Sequence, residues 1–228
     1  VRTALHNGMS GLGIMAIPLG LALLMSSGWW LLGAAAFMLF LLYINSFGPH
    51  LSDTPLNYLI TFLIFGPISV PVVSAIMIDF YPDPEVTHKM MIPIIILSVM
   101  MGLLACNSLL MYNYMSYDND KTISKRTLVV LLGHRAAKAI FLIAGLLVFV
   151  GGMVIYITCH HSGLWIPGLC FLSLAVNTWM GLRLDKVNMK NFRKSALILN
   201  FNPFVLMLGI LIVYLLTSPH HATGIRFF

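Results

Sequence analysis

The sequence predicts an all-α fold, a polytopic bundle of transmembrane helices. Of the 228 residues, 59% are hydrophobic and 9% are charged, and the mean hydropathy is +0.93. A soluble globular domain carries about 25% charged residues, so the composition excludes the soluble classes. Apolar stretches of about 20 residues, long enough to cross a bilayer, recur along the whole chain. We identify seven, at 5–25, 29–47, 56–79, 90–115, 136–158, 163–182 and 196–217.

Little sequence remains between these stretches, so we expect residues 1–228 to form a single integral membrane domain. The first residue is Val1 rather than Met, no signal peptide precedes the first span, and the number of spans is odd. These features predict an amino-terminally incomplete chain. The three cysteines, Cys106, Cys159 and Cys170, lack paired spacing, which indicates neither a disulfide framework nor a zinc site.

The distribution of charge predicts the orientation of the protein in the membrane. Thirteen Lys and Arg residues against seven Asp and Glu give a net charge of +6. If the amino terminus is cytoplasmic and the seven spans alternate, 11 of the 13 basic residues lie inside, and the exceptions are Lys89 and Arg226. Ten belong to two loops, 116–135 and 183–195, when Lys138 is counted with the first. This bias follows the positive-inside rule, so it indicates topology rather than nucleic-acid binding.

Several residues within the spans suit packing between helices. Pro67 removes a backbone donor from the third span, which a membrane helix tolerates when neighbours satisfy the freed carbonyl. The Gly151–Gly152 pair in the fifth span permits close helix approach. We expect Asn177 in the sixth span to hydrogen-bond to a neighbouring helix, a contact of about 1 kcal/mol. The same interpretation applies to Asn200 and Asn202 in the seventh span.

The residues that carry chemistry are concentrated in one polar segment, from Asn107 to Gly133. A long apolar run leads to Asn113, and two carboxylates follow at Asp118 and Asp120. Carboxylate and carboxamide oxygens at the mouth of a membrane helix suit a Mg²⁺-bound diphosphate. Basic side chains that would neutralise the diphosphate follow at Lys121, Lys125, Arg126, Arg135 and Lys138. The alternative is a cytoplasmic loop whose charges serve only topology and solvation.

Whether Asp118 and Asp120 can bind one metal ion depends on the local backbone conformation. Asp118 and Asp120 are two residues apart, and on a regular helix such positions do not face one another. They converge on one ion only if the helix ends near Tyr117 and places both on a turn.

Two stretches of the chain resemble a known family. The segment from Tyr112 to Gly133 is similar to the second Asp-rich region of the UbiA superfamily of intramembrane prenyltransferases, closest to the branch that prenylates 1,4-dihydroxy-2-naphthoate in menaquinone synthesis. That branch reads N-N-x-R-D-x-x-x-D-x-x-x-G-K-R-T-L-x-V-x-x-G, and the shared residues are Asn113, Asp120, Lys125, Arg126, Thr127, Leu128, Val130 and Gly133. Upstream, Thr54-Pro55-Leu56 and Phe65-Gly66-Pro67 match its T-P-L and F-G-P elements.

The resemblance implies a fold of nine helices around a central cavity. The seven spans of this chain would correspond to the third through ninth helices, and Arg2–Gly11 resembles the segment just after the first Asp-rich motif, which this chain lacks. It also implies a bacterial inner (cytoplasmic) membrane, with the polar loops facing the cytoplasm.

The resemblance further implies a reaction. A polyprenyl group would pass from polyprenyl diphosphate to an aromatic quinone precursor such as 1,4-dihydroxy-2-naphthoate, with Mg²⁺ as the cofactor. Asp118 and Asp120 would be the catalytic metal ligands. The diphosphate would be held by Asn113, Lys121, Lys125 and Arg126. The other partner is membrane lipid, and no nucleic acid is expected.

The chain departs from the branch at several motif positions. Met115 and Ser116 stand where the branch has an arginine and the first aspartate of D-x-x-x-D. Ser124 replaces the Gly before K-R-T-L, and Asn57-Tyr58 replaces the Glu of P-L-G-E. Asp118 is therefore a candidate for a shifted metal ligand. The alternative function is a non-catalytic homologue that binds isoprenoid lipid or a partner enzyme.

Overall fold

A computed structural model describes residues 28–47, 51–80, 84–158 and 165–186, together with position 198. Within these residues the chain is helical and contains no strand, as the composition predicts. The α-helices are α1 (Trp30–Phe47), α2 (Leu56–Leu63), α3 (Ser69–Phe80), α4 (Pro84–Met115), α5 (Tyr117–Thr122), α6 (Leu128–Thr158) and α7 (Trp165–Arg183). Short 3-10 turns lie at Leu51–Asp53 and Leu184–Lys186, and a π-helical turn at Ile64–Ile68 joins α2 to α3.

These helices coincide with the five middle spans that the sequence predicts. Within the described part of the chain, three segments are long and apolar enough to cross a membrane: Leu56–Ile76, Met91–Met115 and Leu128–Thr158. Trp30–Asn45 is a shorter apolar helix. The predicted spans 5–25 and 196–217 lie outside the described residues.

The helix that contains the predicted span 136–158 begins earlier, at Leu128. Gly133 interrupts its first turns with φ 80° and ψ 168°. A positive φ of this size favours glycine, so Gly133 allows the polar start of α6 to leave the axis of its apolar part.

The centre of the described bundle is formed by α6, which packs against α4 on one side and α7 on the other. Near the polar end, these helices bury Leu110, Met111, Tyr114, Val129, Ala137, Phe141, Met180 and Leu184. Deeper along the same helices a second cluster contains Met100, Leu104, Val148, Ile155 and Cys170. Apolar side chains on the outer side of α6, including Leu146 and Leu147, are about half exposed. Such a surface suits contact with lipid chains rather than water.

Buried asparagines tie the three central helices together. Asn107 of α4 donates from Nδ2 to the carbonyl oxygen of Phe141 at 3.2 Å and to Oδ1 of Asn177 at 3.1 Å. Asn177 in turn donates to the carbonyl oxygen of Ser173 at 3.1 Å. The interhelical hydrogen bond predicted for Asn177 is therefore confirmed, while Asn200 and Asn202 lie outside the described residues.

Glycines let the helices approach closely where the sequence predicts it. A Cβ atom added to Gly152 would overlap Sγ of Cys170, and one added to Gly151 would lie 2.9 Å from Cγ of Met100. Between α2 and α4 the tightest position is Gly66, in the π-helical turn, where a Cβ would overlap the carbonyl oxygen of Ser98. The F-G-P element is thus a helix-packing element.

We predict that Gly66→Ala lowers the free energy of unfolding by about 1–3 kcal/mol, the usual effect of overpacking a core. The matched control is Gly33→Ala in α1, where nothing described lies within 4 Å of an added Cβ. Because Ala is a better helix former than Gly by about 1 kcal/mol, the control should be neutral or more stable. Unfolding of both variants in mixed micelles by titration with a denaturing detergent measures the difference. Equal stability of the two variants would contradict the close packing at Gly66.

Candidate functional site

The polar segment reverses the chain between α4 and α6. Ser116 breaks the helical geometry at the end of α4 with φ −86° and ψ 3°, and α5 begins immediately after it. The amide of Asp120 donates to the carbonyl oxygen of Ser116 at 2.8 Å, so positions 116 and 120 are one helical turn apart. Thr127 caps the start of α6, because its Oγ1 accepts the amide hydrogen of Val130 at 3.4 Å.

α5 ends in a Schellman motif, in which two backbone hydrogen bonds close the last turn of a helix. The amide of Lys125 donates to the carbonyl oxygen of Asp120 at 2.9 Å, and the amide of Ser124 donates to that of Lys121 at 3.3 Å. Ser124 has φ 59°, the left-handed conformation that the motif requires. Because a non-glycine residue there costs about 1–2 kcal/mol, glycine suits this position. The motif brings Lys125 back to Asp120.

The two aspartates of α5 lie on different sides of the helix. Asp120 is 5% exposed, whereas Asp118 is exposed. The long helix does end next to Tyr117, at Ser116, but α5 begins there, so both aspartates lie two positions apart on one helix and do not converge. No group of three or more His, Cys, Asp and Glu residues that could hold a metal ion occurs among the described residues.

Asp120 is a buried carboxylate that interacts electrostatically with Lys125 and Asp53. Among the described residues it has no hydrogen-bond or ion-pair partner for its side chain. Burial raises the pKa of Asp120, the positive charge of Lys125 opposes that rise, and the negative charge of Asp53 adds to it. Asp120 and Lys125, which the sequence predicts to act together, are therefore brought together by the fold.

Asp53 belongs to the same site and is a residue that sequence reasoning missed. It ends the 3-10 turn just before Thr54. Its Oδ1 lies 2.9 Å from Nζ of Lys125, and its carbonyl oxygen accepts the amide hydrogen of Arg126 at 3.0 Å. The hydrogen bond to Asp53 raises the pKa of Lys125. The T-P-L and K-R-T-L elements are thus joined through one aspartate. The sequence feature that could have pointed to Asp53 is its position directly before the T-P-L element.

Asn113 is held at the inner edge of this site. It is 5% exposed, and its Nδ2 donates to the hydroxyl of Tyr58 at 2.9 Å. The carbonyl oxygen of Tyr58 accepts the thiol hydrogen of Cys106 at 3.3 Å, which fixes the start of α2 against α4. Tyr58 is also close enough to Asp120 for the two to interact electrostatically. Tyr58 is therefore hydrogen-bonded to the carboxamide and within electrostatic range of the buried carboxylate.

The remaining predicted cations lie at the exposed surface around the site. Lys121 is exposed, with Nζ 5.9 Å from the ring centroid of Tyr117, and Arg126 is also exposed. Of the predicted site residues, Asn113 and Asp120 are therefore buried and Lys125 is half-buried. The exposed ones are Asp118, Lys121 and Arg126.

A second polar network fixes the end of α4 to α6 and α7. The hydroxyl of Tyr114 donates to Oδ1 of Asp185, and Nζ of Lys138 donates to Oδ2 of the same carboxylate at 2.6 Å. These bonds from Lys138 and Tyr114 lower the pKa of Asp185. The ring of His134 packs on Tyr114 and Tyr117 with centroid separations of 4.5 and 4.2 Å. Asn113, the neighbour of Tyr114, is thereby held in place from both sides.

Comparison with known proteins identifies one family. The model of the UbiA prenyltransferase family matches residues 6–202, a range that contains every site residue described above. No curated protein and no solved structure matches the chain.

We predict that Ser124→Gly raises the free energy of unfolding by up to about 1 kcal/mol, since glycine adopts the left-handed conformation without the steric cost of a side chain. Ser124→Ala is the matched control, because alanine also removes the hydroxyl but keeps the strain. Detergent-titrated unfolding of the three proteins distinguishes these cases. If the glycine variant is no more stable than the alanine variant, the Schellman geometry at Ser124 is incorrect.

Proposed function

The chain belongs to the UbiA prenyltransferase family, and we propose that its polar site binds a polyprenyl diphosphate and transfers the polyprenyl group to an aromatic acceptor. Membership of the family supports an intramembrane prenyltransferase that works on an isoprenyl diphosphate in a lipid environment. The observation that carries the proposal for this chain is the buried carboxylate of Asp120 beside the charge of Lys125, with the buried carboxamide of Asn113 bonded to Tyr58, at the end of an apolar bundle. A carboxylate, an ammonium and a carboxamide at that boundary suit the head group of a substrate whose tail lies among the helices.

We propose 1,4-dihydroxy-2-naphthoate as the acceptor and menaquinone synthesis as the process. The support is the K-R-T-L and F-G-P elements, which resemble that branch of the family. We also propose that the site faces the cytoplasm of a bacterium, since ten of the thirteen basic residues lie in the two loops assigned to that side.

The oxygen donors of the site fit Mg²⁺, the ion that the family implies. Mg²⁺ prefers oxygen ligands, keeps several waters, and is commonly bound by one or two carboxylates plus substrate phosphates. Asp120 supplies a buried carboxylate without a hydrogen-bond partner among the described residues. Asp118, the second ligand that the sequence predicts, lies on the exposed side of α5 two positions from Asp120, so Asp120 would be the principal carboxylate of the site. Bound Mg²⁺ would offset the negative charge of the diphosphate and assist its departure.

The other residues of the site would have different roles, according to their positions. The ammonium of Lys125, beside Asp120, would offset charge that develops on the departing diphosphate. Asn113 would orient a diphosphate oxygen from the inner edge. Lys121 and Arg126, at the exposed surface, would attract the anionic head group to the site.

We predict that the full-length protein in lipid nanodiscs, given Mg²⁺, a polyprenyl diphosphate and 1,4-dihydroxy-2-naphthoate, forms a prenylated product detectable by mass spectrometry. Asp120→Asn should lower the rate by about 100-fold or more, the scale for loss of a group that stabilises transition-state charge. Asp118→Asn, the matched control on the exposed side, should have a smaller effect.

Two outcomes contradict this proposal. Absence of product from the full-length protein would reject the activity. Equal effects of the two substitutions would reject the assignment of Asp120 as the principal carboxylate.

A further inference from the structure

The start of α6 presents apolar side chains to its surroundings at a place where a water-exposed surface would be polar. Leu131 is 57% exposed and Leu132 is 48% exposed. The exposed residues His134 and Arg135 follow them, so the apolar pair lies further from the apolar part of the helix than the charged residue does. In a straight helix that crosses a bilayer, this order would leave both leucines in water.

The length of α6 shows which part of the helix lies outside the apolar core of a bilayer. The 31 residues of Leu128–Thr158 would extend about 46 Å at 1.5 Å per residue, whereas the core is about 30 Å thick. Residues 139–158 contain no charged side chain and alone would extend about 30 Å. The first turns of α6, before residue 139, therefore lie at the membrane surface or beyond it.

A bend at Gly133 allows the first turn to leave the axis of the membrane-spanning part. Its φ of 80° and ψ of 168° are a combination that is essentially restricted to glycine. On one side of this turn, Val129 is fully buried in the cluster at the polar end of the bundle. On the other side, Leu131 and Leu132 are exposed. Apolar side chains on both sides suit a turn that lies between the protein and lipid.

The exposed charges beside this turn are mainly positive. Lys121, Arg126 and Arg135 are exposed, and Asp118 is the one exposed carboxylate among residues 116–135. Basic side chains next to a bilayer are attracted to anionic lipids, and arginine can bind phosphate through two parallel hydrogen bonds. The apolar pair and the cations thus complement the two parts of an anionic phospholipid, its acyl chains and its phosphate.

We propose that the first turn of α6 lies along the membrane surface and binds anionic phospholipids, with Leu131 and Leu132 at the acyl-chain boundary and Arg135 at the lipid phosphates. Gly133 supplies the bend that brings the turn onto the leaflet. The inference is independent of prenyl transfer, because the lipid concerned is not the substrate of the proposed reaction.

The test is quenching of a fluorescent thiol label at Leu131→Cys by lipid, in the full-length protein in nanodiscs. The discs contain phosphatidylcholine and a minority of phosphatidylglycerol, and the acyl chains of one lipid at a time carry bromine atoms, which quench the label. Both lipids should quench it. Per molecule, phosphatidylglycerol should be about fivefold more effective, the ratio expected for one basic residue at an anionic surface.

Two other positions calibrate the label, and the unsubstituted protein gives the background from native cysteines. Ile143→Cys lies on the apolar part of α6, where the side chain is 55% exposed, and should be quenched equally by the two lipids. Asn119→Cys lies on the exposed surface of α5 and should be quenched by neither.

Two substitutions in the labelled protein test the parts of the arrangement. Arg135→Gln should remove most of the preference for phosphatidylglycerol. The matched control is Arg183→Gln, since Arg183 is an exposed arginine on α7 that stacks on Trp179 at 4.5 Å, and it should leave the preference unchanged. Gly133→Ala should reduce quenching by both lipids, because alanine disfavours a positive φ and favours a straight helix.

The inference is overturned if neither lipid quenches the label at position 131, if the two lipids quench it equally, or if Arg135→Gln leaves the preference intact. Protection of Leu131→Cys from a water-soluble thiol reagent without quenching by lipid would indicate a protein contact, such as a second copy of the chain, and would also overturn it. A preference that inorganic phosphate abolishes at constant ionic strength would indicate a site for free phosphate instead of a lipid surface.

Discussion

The ion pair of Lys125 with Asp53, beside the buried carboxylate of Asp120, is the interaction on which the site depends. It joins two segments that are far apart in sequence, and backbone hydrogen bonds hold each segment in place. The left-handed residue Ser124 is essential to this geometry, because it turns the chain so that the amide of Lys125 meets the carbonyl oxygen of Asp120. The position of Lys125 in the site therefore depends on how α5 ends.

The membrane imposes the second constraint, since its apolar interior offers polar groups no partner. The described helices place their charged groups at one end of the bundle and satisfy buried polar groups deeper inside through contacts between helices. The Asn107–Asn177 hydrogen bond is one such contact, and the close packing at Gly66 and Gly152 is the apolar equivalent. The Tyr114–Asp185–Lys138 network then fixes the ends of α4, α6 and α7 beside the site. A rigid apolar scaffold with a polar end is suited to a substrate with a long tail and a charged head.

Sequence reasoning predicted the helical membrane fold and the segment that forms the site, because hydropathy and clustered charge are local signals. It also placed Asn113, Asp120 and Lys125 in one polar segment, although it assigned them with Asp118, Lys121 and Arg126 to a single site. It did not predict Asp53, because its position beside the T-P-L element does not indicate that a turn far upstream would reach Lys125. It left the position of Asp118 open, since the predicted helix end near Tyr117 occurs, but a new helix that starts at once keeps the two aspartates on different sides. The start of α6 at Leu128 was not predicted, because polar residues follow Gly133 and the helix continues there through a kink.

The most direct test of the central contact is a distance measurement between positions 53 and 125. A protein that carries Asp53→Cys and Lys125→Cys should be cross-linked rapidly within one chain by a short bifunctional thiol reagent, in native membranes. Each single substitution serves as the control for reaction with the native cysteines. Formation of the 53–125 cross-link, identified in peptides by mass spectrometry, is the result that the structure predicts. Its absence, with both introduced cysteines reactive toward a monofunctional reagent, would contradict the joining of the two segments at Lys125.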